Sequence, residues 1–141
     1  MSQVNEDLAY IAGFVDGEGS IIMHIRRDRK QPYIRPMLII TQANKEILLW
    51  ILKTLNIGNI NLIYQKENRR KIKKDCWNIN YGDRKAYEVI KLLRPYIRVK
   101  AEQADLLISF YEKYGDSHNN SKEKLALAEL NNKLNHVSIC K

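Results

Sequence analysis

A stripe of very small residues inside an apolar helical pattern is the feature that most constrains how this chain can fold. Ala9, Gly13 and Gly17 are spaced by four, so they share one face of a predicted helix. Residues without bulk at this spacing let two helix backbones approach closely. Glu18 then stands where two such helices would end side by side. The pattern predicts a helix from about residue 5 or 7 to residue 16 that packs against a second, similar helix.

The segment from Ile11 to Gly19, which reads IAGFVDGEG, resembles the LAGLIDADG motif of homing endonucleases. Gly17 replaces the family's alanine. Four further positions carry conservative changes, at Ile11, Phe14, Val15 and Glu18. The motif is specific because it combines small, apolar and acidic residues in one register. The other interpretation is a buried helix that ends at a glycine C-cap and leaves Glu18 solvated.

The length and charge of the chain indicate how many domains it forms and which kind of partner it binds. The chain has 141 residues, of which 45% are hydrophobic, which predicts one domain with a real core. Its 24 basic and 16 acidic residues give a net charge of +8. This balance favours a polyanionic partner, nucleic acid first, with plain solubility as the alternative.

Targeting and metal-binding patterns give further expectations. No apolar window is long enough for a membrane helix, and the polar N-terminus is unlike a signal peptide. We therefore expect an intracellular protein. The heavy use of Lys, Ile and Asn is typical of AT-rich coding, so we expect it in an organelle (mitochondrion or chloroplast) or in a prokaryotic or archaeal cytoplasm. The two cysteines and three histidines lack zinc-ligand spacing, so a zinc site is not expected.

The periodicity of the chain predicts a single α+β domain in the order helix, strand, strand, helix, strand, strand, helix, followed by a further C-terminal helix. Strands are predicted at 20–29, 33–42, 59–64 and 76–81. Helices after the first are predicted at 44–55, 83–93, 100–114 and 122–135. Asn44 and Asp83 are the predicted N-caps. Pro36 inside the second strand predicts an edge or a bulge there.

This order of elements is that of the LAGLIDADG fold, and the resemblance covers about residues 7–114. It implies a four-stranded antiparallel, saddle-shaped sheet over double-stranded DNA, with helices on the opposite face. The C-terminal part, 115–141, is variable in the family and has little weight in the assignment.

The resemblance also implies metal-assisted hydrolysis of phosphodiesters, with Mg²⁺ as cofactor and Mn²⁺ as an alternative. The motif acid, here Glu18, is the family's metal ligand, and the backbone carbonyl of Gly17 also contacts metal. The family's commoner acid is aspartate. Since one chain offers one motif, cleavage of two strands implies a homodimer. The interface is predicted to involve the small residues of the first helix, namely Ala9, Ala12, Gly13 and Gly17.

Two further catalytic positions follow from the resemblance. Gln42, at the end of the second strand, matches a polar residue that orders the active-site water; its other interpretation is an exposed strand end. Lys100 matches the family's basic residue near the scissile phosphate; its other interpretation is a surface lysine. Asp16 is expected to be structural. Some relatives have an arginine where this chain has Glu46 beside Lys45, so the chain departs here from the residues of the family's solvent network.

Strand faces that alternate in polarity are expected to lie in the major groove of DNA. On the first two strands the predicted contacts are Ser20, His24, Arg26, Asp28, Lys30, Tyr33, Arg35 and Met37. On the fourth strand Asn78 and Asn80 are predicted to face the groove, with the reverse register left open. A basic run is interpreted as a phosphate clamp, or alternatively as a solvated loop. Its predicted contacts are Lys66, Arg69, Arg70, Lys71 and Lys73.

These predictions combine into one leading hypothesis, a homodimeric site-specific endonuclease that cuts both strands of a long pseudo-palindromic DNA target. The resemblance implies 3′ overhangs and a role in intron mobility. The alternative is a non-cleaving protein of the same fold, either an RNA maturase that assists intron splicing or a DNA-binding regulator. A basic structural domain without nucleic-acid specificity is the third possibility.

Overall fold

The computed structural model describes residues 3–27, 33–63, 76–115 and 122–138. The helices are α1 (Gln3–Glu18), α2 (Lys45–Leu55), α3 (Arg84–Leu93), α4 (Ala101–Tyr114) and α5 (Lys122–Ser138). The strands are β1 (Gly19–Arg26), β2 (Tyr33–Gln42), β3 (Ile60–Ile63) and β4 (Cys76–Gly82). The predicted α+β class and order of elements are confirmed. Within these ranges, no helix has the length and apolarity needed to cross a bilayer.

The four strands form one antiparallel sheet in the order β1-β2-β4-β3. β1 pairs with β2 along the whole length of β1, from Gly19 opposite Ile40 to Arg26 opposite Tyr33. β2 is therefore a central strand, and β1 has one free edge. Side chains alternate between the two faces of each strand.

One face of the sheet packs on the helices and forms the core. Its fully buried strand residues are Ile21, Leu38, Ile40, Ile79 and Tyr81. The apolar positions of α1 at helical spacing complete this layer, with Leu8, Ile11, Ala12 and Val15 buried. Because Ile79 and Tyr81 face the helices, Asn80 is exposed on the opposite face. The predicted polarity of the fourth strand is confirmed.

Pro36 lies just outside the β2–β4 ladder, which begins at Met37, so β2 has a local edge there, as predicted, and no bulge. It pairs with Met23 of β1 in an unbroken register. The Pro36 carbonyl oxygen accepts a hydrogen bond from the backbone N–H of Asp83, just past the end of β4. The N and C=O of one strand residue point to the same side, so the missing N–H of Pro36 faces a position where β4 has already ended. A proline fits this position because β2 is paired only with β1 here and no ladder bond is lost.

The two predicted N-caps have different outcomes. The Asn44 side chain accepts a hydrogen bond from the N–H of Ile47, which confirms it as the N-cap of α2. Asp83 precedes α3, but its side chain makes no capping bond. Its carboxylate binds Arg35 instead. Asp83 therefore occupies the predicted N-cap position, but its side chain does not cap α3, because a charged partner on another strand binds the same carboxylate.

The turn after α2 depends on a buried tyrosine. The Tyr81 hydroxyl donates a hydrogen bond to the carbonyl oxygen of Ile57, at 2.9 Å. Burial raises the pKa of Tyr81 to about 12. Gly58 has a φ of +100°, and a Cβ there would lie 2.6 Å from the Tyr81 ring. Glycine is therefore required at this position both by conformation and by the packed ring.

The C-terminal helix α5 covers the free edge of β1. The side-chain amides of Asn131 and Asn135 both donate to the carbonyl oxygen of Ile21, at 3.2 Å and 2.8 Å. Asn132 donates to the carbonyl oxygen of Met23 at 3.4 Å. The unpaired backbone groups of an open strand edge can pair with a strand of another chain. These amides bind two of the exposed carbonyl oxygens of β1. The C-terminal part of the chain, which had little weight in the family assignment, therefore covers the outer edge of the sheet.

Candidate active site and nucleic-acid interface

The end of α1 leads directly into β1, and this transition places Glu18 at the surface. Gly19 is buried, and a Cβ there would lie 2.9 Å from the carbonyl oxygen of Val15. Only glycine allows the strand to leave the helix at this angle. The helix extends to Glu18, two residues further than predicted. As a result, the exposed Glu18 carboxylate lies at the junction of helix and sheet.

Asp16 connects α1 to the start of α4. Its carboxylate accepts hydrogen bonds from the backbone N–H groups of Arg98, at 2.9 Å, and Lys100, at 3.1 Å. The Lys100 ammonium in turn donates to the backbone carbonyl oxygen of Asp16. This agrees with the expected structural role of Asp16. It also means that the Asp16 carboxylate is already occupied, whereas the Glu18 carboxylate accepts no hydrogen bond within the described ranges.

Lys100 and Glu18 line the same cleft. Partial burial lowers the pKa of the Lys100 ammonium, and the negative charges of Asp16 and Glu18 oppose that shift. The rest of the cleft is formed by the α1–β1 junction, the exposed Val99 and Asn135 of α5. The structure thus brings together two of the three predicted catalytic residues. Asn135 was not predicted, because only the tertiary placement of α5 brings it here.

Gln42 does not line this cleft in the single chain. It ends β2 two residues beyond Ile40, the partner of Gly19, so it lies at the same end of the β1–β2 pair as Glu18. Its Oε1 accepts a hydrogen bond from the N–H of Ala43 at 2.9 Å. The side-chain NH₂ group of Gln42 is thereby oriented by its own turn. Lys45 lies nearby on Trp77, with its ammonium 5.6 Å from the ring centroid.

The sheet face opposite the core carries the predicted DNA contacts that lie in the described ranges. Ser20, His24, Arg26 and Arg35 are exposed, and Tyr33 and Met37 are half-buried. His24 lies directly opposite Arg35, and Arg26 opposite Tyr33. Asn78 is half-buried, and its Oδ1 atom has no hydrogen-bond partner in the described part of the chain. The face offers donors, acceptors and apolar groups in a regular array.

Several predicted contacts lie outside the described residues. These are Asp28 and Lys30, which follow β1 in sequence, and Lys66, Arg69, Arg70, Lys71 and Lys73, which precede β4 in sequence. Their proposed roles continue to rest on the sequence.

The stripe of small residues on α1 is exposed in the single chain. Ala9, Gly13 and Gly17 face solvent, and Tyr10 beside them is 56% exposed and packs edge-on against Trp50. A Cβ at Gly13 or Gly17 would meet no atom within 4 Å. The single fold therefore does not require glycine at these two positions.

Ala12 was predicted at the dimer interface, and this prediction is wrong. Its side chain is fully buried within the single chain. It lies four residues after Leu8 and three before Val15, so it belongs to the core face of α1 rather than to the stripe.

Known proteins resemble this chain in sequence and in fold. The family model described as LAGLIDADG endonuclease matches residues 11–122. No curated protein sequence matches the chain. The homing endonuclease I-CvuI, solved with the I-CreI target and Mg without cleavage of the DNA, is 25% identical, with a TM-score of 0.72 over 98% of this chain and 85% of that one. The archaeal intron-encoded homing endonuclease I-Vdi141I, solved in complex with DNA, is 21% identical, with a TM-score of 0.71 over 95% of this chain and 93% of that one.

Proposed function

Because this chain belongs to the LAGLIDADG endonuclease family, we propose that it is a site-specific double-strand DNA endonuclease that acts as a homodimer. The observation that supports this most strongly is the cleft at the end of α1. There the uncommitted Glu18 carboxylate and the partly buried Lys100 ammonium lie beside a polar sheet face.

Glu18 and the backbone carbonyl oxygen of Gly17 are the proposed protein ligands for Mg²⁺. Oxygen donors suit this cation, which commonly takes one or two carboxylates and keeps waters and phosphate oxygens in its remaining positions. Within the described ranges no group of three or more His, Cys, Asp or Glu side chains gathers as a metal site. When bound, the metal activates water and neutralises phosphate charge.

The remaining catalytic work is assigned to the chain's own groups. Lys100 places a positive charge beside Glu18, where it can stabilise the charge that develops on the phosphate. Gln42 has an NH₂ group that is free to orient a water molecule, because its oxygen is bound by Ala43. Asp16 holds the Lys100 segment against α1 and is a positioning residue.

The stripe on α1 supports the proposed homodimer. Ala9, Gly13 and Gly17 form an exposed strip without bulk, against which a second copy of α1 can pack closely. Two copies related by a twofold axis bring both Glu18 residues near that axis. One acid then serves each DNA strand.

The exposed sheet face is the proposed reader of the DNA sequence. A two-stranded ribbon fits the major groove, and arginine and histidine side chains on β1 and β2 provide hydrogen-bond donors to base edges. The basic segment 66–74 is the proposed phosphate clamp.

The family resemblance supports 3′ overhangs and a role in intron mobility as the finer features of the proposal.

Cleavage selection on a randomised DNA library tests the proposed function. The purified protein is incubated with the library in Mg²⁺, in Ca²⁺ and without metal, and cut molecules are sequenced. We expect cleavage in Mg²⁺ at one pseudo-palindromic family of sites. Retention of specific duplexes without any cleavage would instead favour a DNA-binding regulator, and specific retention of structured RNA alone would favour a maturase.

A further inference from the structure

Arg35 is held in place on the exposed sheet face by a residue that the proposed function does not yet use. Its Nε–H donates to Oδ2 of Asp83 at 2.9 Å. Both side chains remain partly exposed, at 44% for Arg35 and 34% for Asp83. This bond engages Nε, and no described residue accepts a hydrogen bond from the two terminal nitrogens of the guanidinium.

Gly82 makes room for this arrangement. A Cβ at Gly82 would lie 2.4 Å from Nη2 of Arg35 and 2.7 Å from its Cζ. A side chain at this position would therefore displace the guanidinium. The glycine that ends β4 and the aspartate that follows it thus favour the same position of Arg35.

Asp83 occupies a backbone conformation that disfavours its own side chain. Its φ is +55° and its ψ is −121°, a region that residues other than glycine rarely adopt. Although it precedes α3, its carboxylate does not cap that helix. The backbone conformation would thus favour a glycine at this position. What an aspartate adds there is a carboxylate that binds Arg35.

A carboxylate on this face is also unfavourable for binding DNA in general, because it repels phosphates. Asp83 lines the same concave surface as His24, Arg26 and Arg35. The Asp83 carboxylate repels phosphates and at the same time orients the Arg35 guanidinium. It therefore favours specificity, because it makes contact with the DNA backbone less favourable than contact with a base. The terminal nitrogens of the fork are the atoms that bind the O6 and N7 atoms of guanine.

We propose that Asp83 is a specificity-determining residue, which orients the Arg35 guanidinium toward a guanine edge and keeps it from binding phosphate instead. The proposal rests on the proposed function, because it requires that the sheet face reads DNA. Asp83 itself is a positioning residue that acts through Arg35.

Binding measurements on variant duplexes test this proposal. A duplex selected by the wild-type protein in Ca²⁺, a set of its single-base-pair variants and a scrambled duplex are titrated with wild type, D83N, R35A and the double variant. We expect D83N to reduce discrimination about tenfold at the base pairs read by Arg35, at mirrored positions of both half-sites. Affinity for the scrambled duplex should stay equal or rise, since a negative charge is removed. In the R35A background, D83N should reduce discrimination no further.

The variant D83G separates specificity from folding. It relieves the unfavourable backbone conformation, so we expect an equal or higher Tm together with the same loss of discrimination as D83N. E88Q removes an exposed carboxylate that pairs with Arg84 on α3, and it should leave both properties unchanged.

Each outcome of these titrations has a defined meaning. If the wild-type protein prefers no duplex over the scrambled one, the proposed function fails. If the wild type discriminates and R35A abolishes that discrimination while D83N retains it, the inference about Asp83 is wrong and the proposed function stands. The inference is equally overturned if D83N weakens binding to every duplex alike, or if R35A has no effect.

Discussion

Asp16 and Lys100 each bind the backbone of the other rather than pairing side chain to side chain. The Asp16 carboxylate accepts the N–H of Lys100, and the Lys100 ammonium donates to the carbonyl oxygen of Asp16. The two residues are 84 positions apart in sequence. This reciprocal arrangement fixes the start of α4 against the end of α1, and it fixes Lys100 relative to Glu18, two residues beyond Asp16.

The first prediction concerns Glu18. Glu18→Gln keeps the shape of the side chain and removes its charge, so we expect cleavage in Mg²⁺ to be lost while DNA binding in Ca²⁺ persists. Cleavage assays and binding titrations on one duplex measure the two effects. Glu88→Gln, an exposed change on α3, is the matched control and should cleave normally. Full cleavage by a pure Glu18→Gln dimer would exclude Glu18 as the metal ligand.

The second prediction concerns the pH dependence of cleavage. Burial lowers the pKa of Lys100, so its ammonium loses the proton at a lower pH than an ordinary lysine, whose value is 10.5. If that charge stabilises the phosphate, single-turnover cleavage should decline as the pH rises toward that value. Lys100→Arg keeps its charge at every accessible pH, so the alkaline decline should disappear even if the neutral rate is lower. An unchanged decline in Lys100→Arg would assign it to another group.

The third prediction concerns assembly. A Cβ at Gly13 would meet no atom within 4 Å from outside its own turn of α1, so Gly13→Leu has room in the single chain, and replacing a helical glycine also favours the helix. We therefore expect an unchanged or higher Tm, a monomer in light scattering, and no double-strand cleavage. Gly17→Leu should behave alike. Lys85→Leu adds the same side chain to an exposed position of α3 and should leave the dimer intact. A Gly13→Leu protein that still dimerises would contradict close packing of two α1 helices.

The fourth prediction concerns the covered edge of β1. Ile21 receives two amides, from Asn131 and Asn135, so either one can satisfy its carbonyl oxygen when the other is removed. We expect Asn131→Ala and Asn135→Ala each to cost about 1 kcal/mol, and the double variant to cost more than their sum. Denaturant unfolding measures this coupling, with Lys133→Ala on the same helix as control. Strictly additive losses would show that the two amides do not substitute for each other.

The fifth prediction distinguishes residues that bind base edges from residues that bind phosphates. Arg26→Ala should cost about 1–3 kcal/mol at particular base pairs and relax specificity there. Lys71→Ala and Lys73→Ala should weaken binding to all sequences alike. Removal of one ammonium–phosphate interaction should flatten the slope of log affinity against log salt by about one. Titrations of cognate and scrambled duplexes at several salt concentrations measure both effects. If the Arg26 variant weakens binding uniformly, this side chain binds the DNA backbone.

Local patterns predicted the parts of the fold that local interactions determine. The alternation of β2 was predicted with its observed bounds, and the Asn44 cap was predicted because its bond to Ile47 spans three residues. The course of α1 was predicted because its apolar and small residues repeat at helical spacing.

Predictions failed where distant residues compete for a group. Asp83 has the residue type and position of an N-cap, but Arg35 lies 48 positions earlier on a neighbouring strand and binds its carboxylate. Ala12 is as small as the residues of the stripe, and only the direction of the core separates it from them. No local pattern indicates that Asn135 reaches the cleft, because that depends on how α5 packs against β1.

The bond from Asn131 to Ile21 also has a consequence for how the chain is made. The two residues are 110 positions apart, so β1 leaves the ribosome long before the amides that cover its edge have been synthesised. Until α5 arrives, the nascent sheet exposes the outer carbonyl groups of its first strand. A chain that stops before residue 131 therefore lacks the amides that cover this edge, and the edge is covered only once the residues of α5 have been made.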